Sequence, residues 1–232
     1  MTWAQLRRHA STLLPRLAAQ LADGTWLPGS VRDVAMPTYT GKQMHTFIPP
    51  VLDRLVHRAL RNAIEPILEA RAFHDWVSGF RPRRNRITSL RQAAVYHKAG
   101  FRWIADLDVA SVSEGATVEE VIDWHAEHIH DGTFLALVRT ALAAMPSPIA
   151  PGSGLAPMLI NLRLSQVDKK LSGLRVVRFA DNYVAFARTR EEAQEAFYAI
   201  SDALLLLRLR PNETKSRIRD DANVEDLFLI GG

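Results

Sequence analysis

The chain has 232 residues, 47% apolar and 23% charged, a balance that excludes a disordered tail and fits a folded globular protein. It has no cysteine, which excludes a disulfide framework and a thiolate metal site. The formal net charge of +4 is unevenly spread: Arg81, Arg83, Arg84 and Arg86 sit almost together, the footprint of a phosphate partner or of an ordinary solvated face. No apolar run reaches the roughly 18 residues that span a bilayer. The N-terminus lacks the apolar core of a signal peptide, so no membrane partner and a cytoplasmic location are expected.

In chain order, Met1 to Asp23 reads as a helix with Leu6, Leu13, Leu14, Leu17 and Leu21 near one face, stopped at Gly24. Val31 to Met36 reads as a strand closed by Pro37. Phe47-Ile-Pro-Pro leads into a helix from Val51 to Arg71, with apolar positions Leu52, Leu55, Val56, Leu60, Ile64 and Leu68 at helical spacing and Pro66 as a kink candidate. A loop over Ser78 to Asn85 precedes a helix from about Ile87 to Lys98. Phe101 to Val109 alternates as a strand, with Trp103, Ala105 and Leu107 on one side. Two helices follow, Val118 to His130 and Thr133 to Ala144, then a Pro/Gly loop and a helix from about Leu155 to Lys170.

Arg175 to Phe179 and Tyr183 to Ala187 read as two strands joined at Ala180-Asp181-Asn182. A carboxylate at that tip is either aimed rigidly outward or caps its own turn. Thr189-Arg-Glu-Glu192 is a capping-box pattern opening a helix to about Leu207. Short strands are expected at Ser216 to Arg219 and Val224 to Ile230. This order predicts an α+β chain with an antiparallel sheet and no repeating βαβ wind.

Two groups stand out chemically. Asp108 ends the strand Trp103-Ile-Ala-Asp-Leu-Asp108, and Asp181 stands at the hairpin turn; taken alone, Asp108 reads first as a strand-end carboxylate capping the following turn, while one Asp on a strand and one on a neighbouring turn can also hold two divalent ions roughly 4 Å apart. Asp123, His125, Glu127, His128 and His130 crowd one helix and read as a polar face or, less favoured, as a His pair on a metal. Ser153 lacks the strand-turn context of a hydrolase nucleophile.

Arg178-Phe179-Ala180-Asp181-Asn182 resembles the Arg-Tyr-Ala-Asp-Asp signature of reverse transcriptases of the group II intron type. Trp103 to Val109 resembles their first catalytic motif, in which the second Asp of Asp-Leu-Asp binds metal. Phe47 to Leu60 resembles a fingers segment, and Ser78-Gly-Phe-Arg-Pro-Arg-Arg a fingers loop. Pro151-Gly-Ser-Gly-Leu-Ala-Pro-Met-Leu-Ile-Asn161 resembles the loop and helix beside the nascent pair, and Pro211-Asn-Glu-Thr-Lys215-Ser the lysine-bearing element. Phe228-Leu-Ile-Gly-Gly stands where a primer-grip turn is expected.

The resemblance implies a right-handed polymerase fold of one domain over 1–232, with fingers at about 1–100, palm at about 101–232 and no thumb. It implies RNA-directed DNA synthesis with Mg2+ or Mn2+ on Asp108 and Asp181, Asn182 beside them, and Arg81, Lys42, Ser113, Gly152 and Lys215 at the nucleotide. Arg83, Arg84 and Arg86 would lie on nucleic acid. Its partners would be an RNA template and primer, dNTPs or NTPs, and a subunit supplying a thumb. A retroelement or phage-defence role is the biological expectation. Asn182 in place of a second Asp, Ser113 in place of an aromatic ring, Pro151 in place of Gln and Met44 in place of a basic residue depart from the pattern. They keep open a second reading: a catalytically impaired module that binds nucleic acid or a polymerase.

Overall fold

The computed structural model describes residues 2–37, 41, 43–220 and 223–228. The chain forms two compact units, each assembled from two stretches: Met1–Leu68 with Ser113–Pro157, and Glu69–Val112 with Met158–Gly232. Mixed helix and antiparallel sheet make it an α+β protein.

In the first unit, α1 (Trp3–Ala22) begins at a Thr2–Gln5 capping box and carries a non-helical residue at His9. The strands β1 (Arg32–Pro37) and β2 (Gln43–Ile48) pair in antiparallel register from Arg32 opposite Ile48 to Pro37 opposite Gln43. β2 was not expected from the sequence: Gln43, Met44 and His45 are all exposed, so no buried alternation marks it. The helix α2 (Val51–Arg71) matches its expected bounds and runs through Pro66 unbroken, burying Val51, Val56, Leu60, Ile64 and Leu68. In the same unit α4 (Val118–Ala126) is shorter than expected, and α5 (Gly132–Ala143) starts at an Asp131 cap.

Gly152 has a reason to be glycine. Its φ is +108°, and a Cβ there would come within 2.3 Å of the Phe47 carbonyl oxygen, while Phe47 N–H donates to the Pro151 carbonyl at 2.8 Å. Ser153 Oγ, buried, lies 3.1 Å from His57 Nδ1 and accepts the Leu155 N–H. Ser153 therefore closes the loop at its helix and serves no nucleophile elbow.

The second unit is a four-stranded antiparallel sheet in the order β4-β5-β3-β6: β3 (Trp103–Asp108), β4 (Val176–Phe179), β5 (Asn182–Ala187) and β6 (Arg217–Arg219). One face carries Ala105, Leu107, Val176, Tyr183 and Ala185 against Leu164 and Val167 of α6 (Ala156–Asp168) and Ile200 and Leu204 of α7 (Arg190–Leu205). These are the two backing helices expected from the sequence. The other face, with Ile104, Val177, Val184 and Phe186, packs against Ala93 of α3 (Arg86–Lys98) and against Leu227 and Phe228. Complete burial of each such Leu, Ile, Val or Phe is worth about 1.5–3 kcal/mol before entropy is counted.

Two local expectations are corrected here. Val224–Asp226 is a 3-10 turn rather than the start of a strand, because Leu227 and Phe228 plug the second face instead of pairing; residues 229–230 lie outside the described residues. Thr189 does cap α7, but Glu192 Oε2 accepts the Arg188 N–H rather than the cap's own, so the box is not reciprocal.

Candidate active site

Alternation along β3 puts Ala105 and Leu107 into the α6/α7 core and leaves Asp106 and Asp108 on the other side. The β3–β5 register then sets Asp108 directly opposite Asn182, and Val109 N–H donates to the Asp181 carbonyl at 3.1 Å. Two residues 73 positions apart in sequence thus stand side by side at one end of the sheet. They feel each other: burial first, then the charge of Asp108, pushes the Asp181 carboxyl above its ordinary value, against a backbone N–H, Lys215 and Arg178, which pull it down.

The tip that carries Asp181 is a two-residue turn, Ala180-Asp181, between paired Phe179 and Asn182. Ala180 has φ +55°, a left-handed conformation that costs an L-residue roughly 1–2 kcal/mol. Buried polar contacts hold it there. Arg178 is completely buried; its Nη1 donates to the Ala180 carbonyl at 2.8 Å and to Asn161 Oδ1 at 2.9 Å. Its Nη2 and Nε donate to Asp168 at 2.6 and 3.1 Å, and Tyr183 Oη donates to the same carboxylate at 2.8 Å. Asn161 Nδ2 passes the network on to the Gly79 carbonyl at 2.7 Å. Gly79 lies so close to the tip that a Cβ would meet Ala180 N at 2.0 Å. The residues Gly79, Asn161 and Arg178, far apart in the chain, therefore meet as one brace beneath the turn. Asp168 was not expected at the site. The signal that could have found it is an Arg inside the apolar strand Val176-Val177-Arg178-Phe179, which requires an acid at its side.

Asp108 is held by its backbone. Asn212 N–H donates to its carbonyl at 2.7 Å, and its own N–H donates to Ser216 Oγ at 3.2 Å. The same turn, folded around Asn212, brings Lys215 Nζ to 3.6 Å from Asp108 Oδ2, with Lys215 half exposed. Asp106 is occupied elsewhere, with Arg219 Nη2 at 2.8 Å, and burial still raises its carboxyl above the ordinary value. Asn182 Nδ2 donates to Asp181 Oδ1 at 3.4 Å.

The structure brings Asp108, Asp181, Asn182 and Lys215 together and shows what the basic loop touches. Arg81 is 7% exposed, forks onto Glu69 at 2.9–3.1 Å and donates to the His74 and Val77 carbonyls. Arg84 pairs with Asp75, and Arg86 holds the Glu225, Leu227 and Phe228 carbonyls, so both tie down their own unit. Arg83, at φ +59°, is exposed. Ser113 and Gly152 belong to the first unit, where the Ser113 carbonyl accepts Ser147 Oγ–H at 3.1 Å. Lys42 lies outside the described residues. His125 is buried, with Nδ1 donating to the Val121 carbonyl at 2.7 Å, so the α4 histidines read as core and face; among the described residues no group of three metal-ligating side chains forms.

An antiparallel sheet with two carboxylates and a lysine at its turn end, braced from below, defines an α+β protein with an acidic, oxygen-lined site. The chain belongs to the reverse transcriptase (RNA-dependent DNA polymerase) family, whose family model matches residues 38–225. It is similar to Protein YkfC of Escherichia coli (strain K12), 27% identical over 72% of this chain and 47% of that protein. It is also similar to the nuclear intron maturase 1, mitochondrial, of Arabidopsis thaliana, 33% identical over 40% of this chain and 13% of the relative. A third relative is the uncharacterized mitochondrial protein ymf11 of Marchantia polymorpha, 27% identical over 73% and 22%. The chain spans less than half the length of each of these relatives.

Proposed function

We propose that this chain is a template-directed nucleotidyltransferase that copies RNA into DNA, with the sheet-bearing unit as its palm and fingers supplied from the rest. The observation that carries the reading is the β3–β5 register, which pairs Asp108 with Asn182 and so brings the Asp181 turn beside Asp108, with Lys215 next to it. Family membership supplies the reaction class, and a relative named as an intron maturase supports RNA as the template.

The donor set fits a hard divalent cation. It is all oxygen, two carboxylates share one end of the sheet, and the raised proton affinity of Asp181 is the penalty that a cation there would relieve. Asp108 and Asp181 would hold Mg2+ or Mn2+, with the Asn182 amide oxygen as a neutral third donor. When bound, such ions acidify an attacking hydroxyl and neutralise charge on a phosphoryl group. The chain's own residues do the rest. The Arg178 brace fixes where Asp181 points, and the Asn212 turn fixes the backbone of Asp108. Lys215, released from Asp108, would neutralise the phosphates of a dNTP. Ser113, small where the family pattern has a ring, predicts weak exclusion of NTPs.

One observation favours the second reading, an RNA-binding or polymerase-partner module without catalysis. The Arg81 guanidinium, implied at the triphosphate, is spent on Glu69, and Asn182 brings no charge. Primer extension on an RNA template with Mg2+ or Mn2+ decides between them. The polymerase reading expects extension by the wild type and loss of at least about 100-fold in Asp181→Ala. Equal signals from the two proteins would leave only the binding role.

A further inference from the structure

At the opposite end of the same sheet lies a second feature that the reaction does not use. Phe101, two residues before β3, packs into the second-face core and is 8% exposed, and two arginines lie over its ring: Arg175 Cζ stands 4.1 Å and Arg188 Cζ 4.5 Å from the ring centroid. Arg175 comes just before β4 and Arg188 just after β5, so strand pairing brings them to one ring from separate stretches. Both residues are exposed, and among the described residues neither guanidinium has a carboxylate within ion-pair distance. Glu192, four residues on, accepts the Arg188 backbone N–H at 2.8 Å. Lys98 and Arg102 flank Phe101 in sequence. Gly100, at φ +89°, lies beside Arg188 Nη1: a Cβ there would stand 3.8 Å from it, an ordinary contact. Glu192 and Glu195 line the cleft of about 260 Å³ beside Arg175 on the α7 side.

Two like charges gathered on one aromatic ring repel each other, and the ring quadrupole offsets that repulsion. The result is a pair of planar five-donor forks already stripped of much of their rotamer freedom, the arrangement that loses least when a phosphate arrives. We infer that the Phe101–Arg175–Arg188 cluster is a docking surface for the phosphodiester backbone of a nucleic acid. Its ring belongs to Phe101, seven residues before Asp108, which at ~3.4 Å per extended residue puts it about 24 Å away along the strand. The contacts reach phosphate and carry no base information, so they hold a strand in place without reading it. The surface would take a segment of nucleic acid beyond the one being copied, and it rests on the proposed function only for its class of ligand.

The test uses the full chain, fluorescently labelled 20-nucleotide RNA and DNA of the same sequence, and affinity measured from 0.05 to 0.5 M salt. Arg175→Ala/Arg188→Ala should bind both strands about tenfold more weakly near 0.15 M salt. The slope of log affinity against log salt should fall by about 1.4, since each lost phosphate contact on a single strand removes ~0.7. Arg175→Lys/Arg188→Lys, which keeps the charge and loses the stacked fork, should keep the slope while affinity falls a few-fold. An unchanged slope in the double alanine variant overturns the surface, as does a loss confined to RNA or to DNA, or a wild type that binds neither. Weakened binding by the double variant together with no primer extension by the wild type would leave the surface standing and end the polymerase reading.

Discussion

The hairpin β1–β2 and the hairpin β4–β5 are both antiparallel ribbons paired residue by residue, yet they hold their polar groups in opposite ways. Nearly every residue of β1 and half of β2 is exposed, and the cross-strand pair Asp33–His45 sits in solvent at 51% and 60% side-chain exposure. In β4 and β5 only Phe179 and Asn182, at the turn end, escape burial, and the Arg178–Asp168 pair has no exposure at all. The same ionic chemistry therefore contributes little in one hairpin and dominates the other. A carboxylate at a turn tip is aimed by what is buried beneath it, and the turn residues by themselves do not aim it.

The comparison breaks most sharply at Asp168. Replacing it by Ala strands the buried Arg178 charge and should cost about 3–5 kcal/mol in denaturant unfolding. Asp168→Leu combined with Arg178→Met removes both charges and should recover most of that loss, while activity stays low because the Ala180 carbonyl loses its donor. A double variant as unstable as the single one would count against the brace.

Asp181 should show a subtler effect with a defined sign. Burial raises its carboxyl above the ordinary value of 3.8, so the fold gains from the protonated form. That gain is complete below the unfolded-state value and is lost as pH rises through the folded-state value. Asp181→Asn should accordingly melt higher than wild type at pH 7, and the difference should vanish as pH falls toward 3.8. Added Mg2+ should raise the wild-type midpoint and leave the variant's unchanged. A variant that melts lower at pH 7 would contradict both the burial and the repulsion from Asp108.

The smallest effect belongs to the exposed hairpin. Asp33→Ala should change stability by less than about 0.5 kcal/mol, read by the same unfolding curves. A loss as large as that of Asp168→Ala would erase the contrast.

The candidate site was legible through motifs that resemble the family, since strand alternation and a short turn by themselves leave Asp108 and Asp181 as ready to cap their own turns as to face a ligand. Helix α2 was legible from end to end because its apolar spacing is a local signal. The brace was only half legible: an Arg inside an apolar strand calls for a buried acid, but nothing local says that Asp168 and Asn161 of α6 supply its partners. Nor does anything local reveal that Glu69, twelve residues earlier, engages the Arg81 fork. The apolar run near Leu227 imitates a strand but fills a face of the core instead of pairing. β2 escaped notice because an exposed strand leaves no hydrophobic period to read.

Gly79 and Ala180 touch backbone to backbone with no clearance for a methyl group. Two stretches a hundred residues apart are thereby made into one mechanical object. Whatever displaces the Ser78–Phe80 loop displaces the acidic tip with it, so events at the loop register at the carboxylate without any side chain carrying the message.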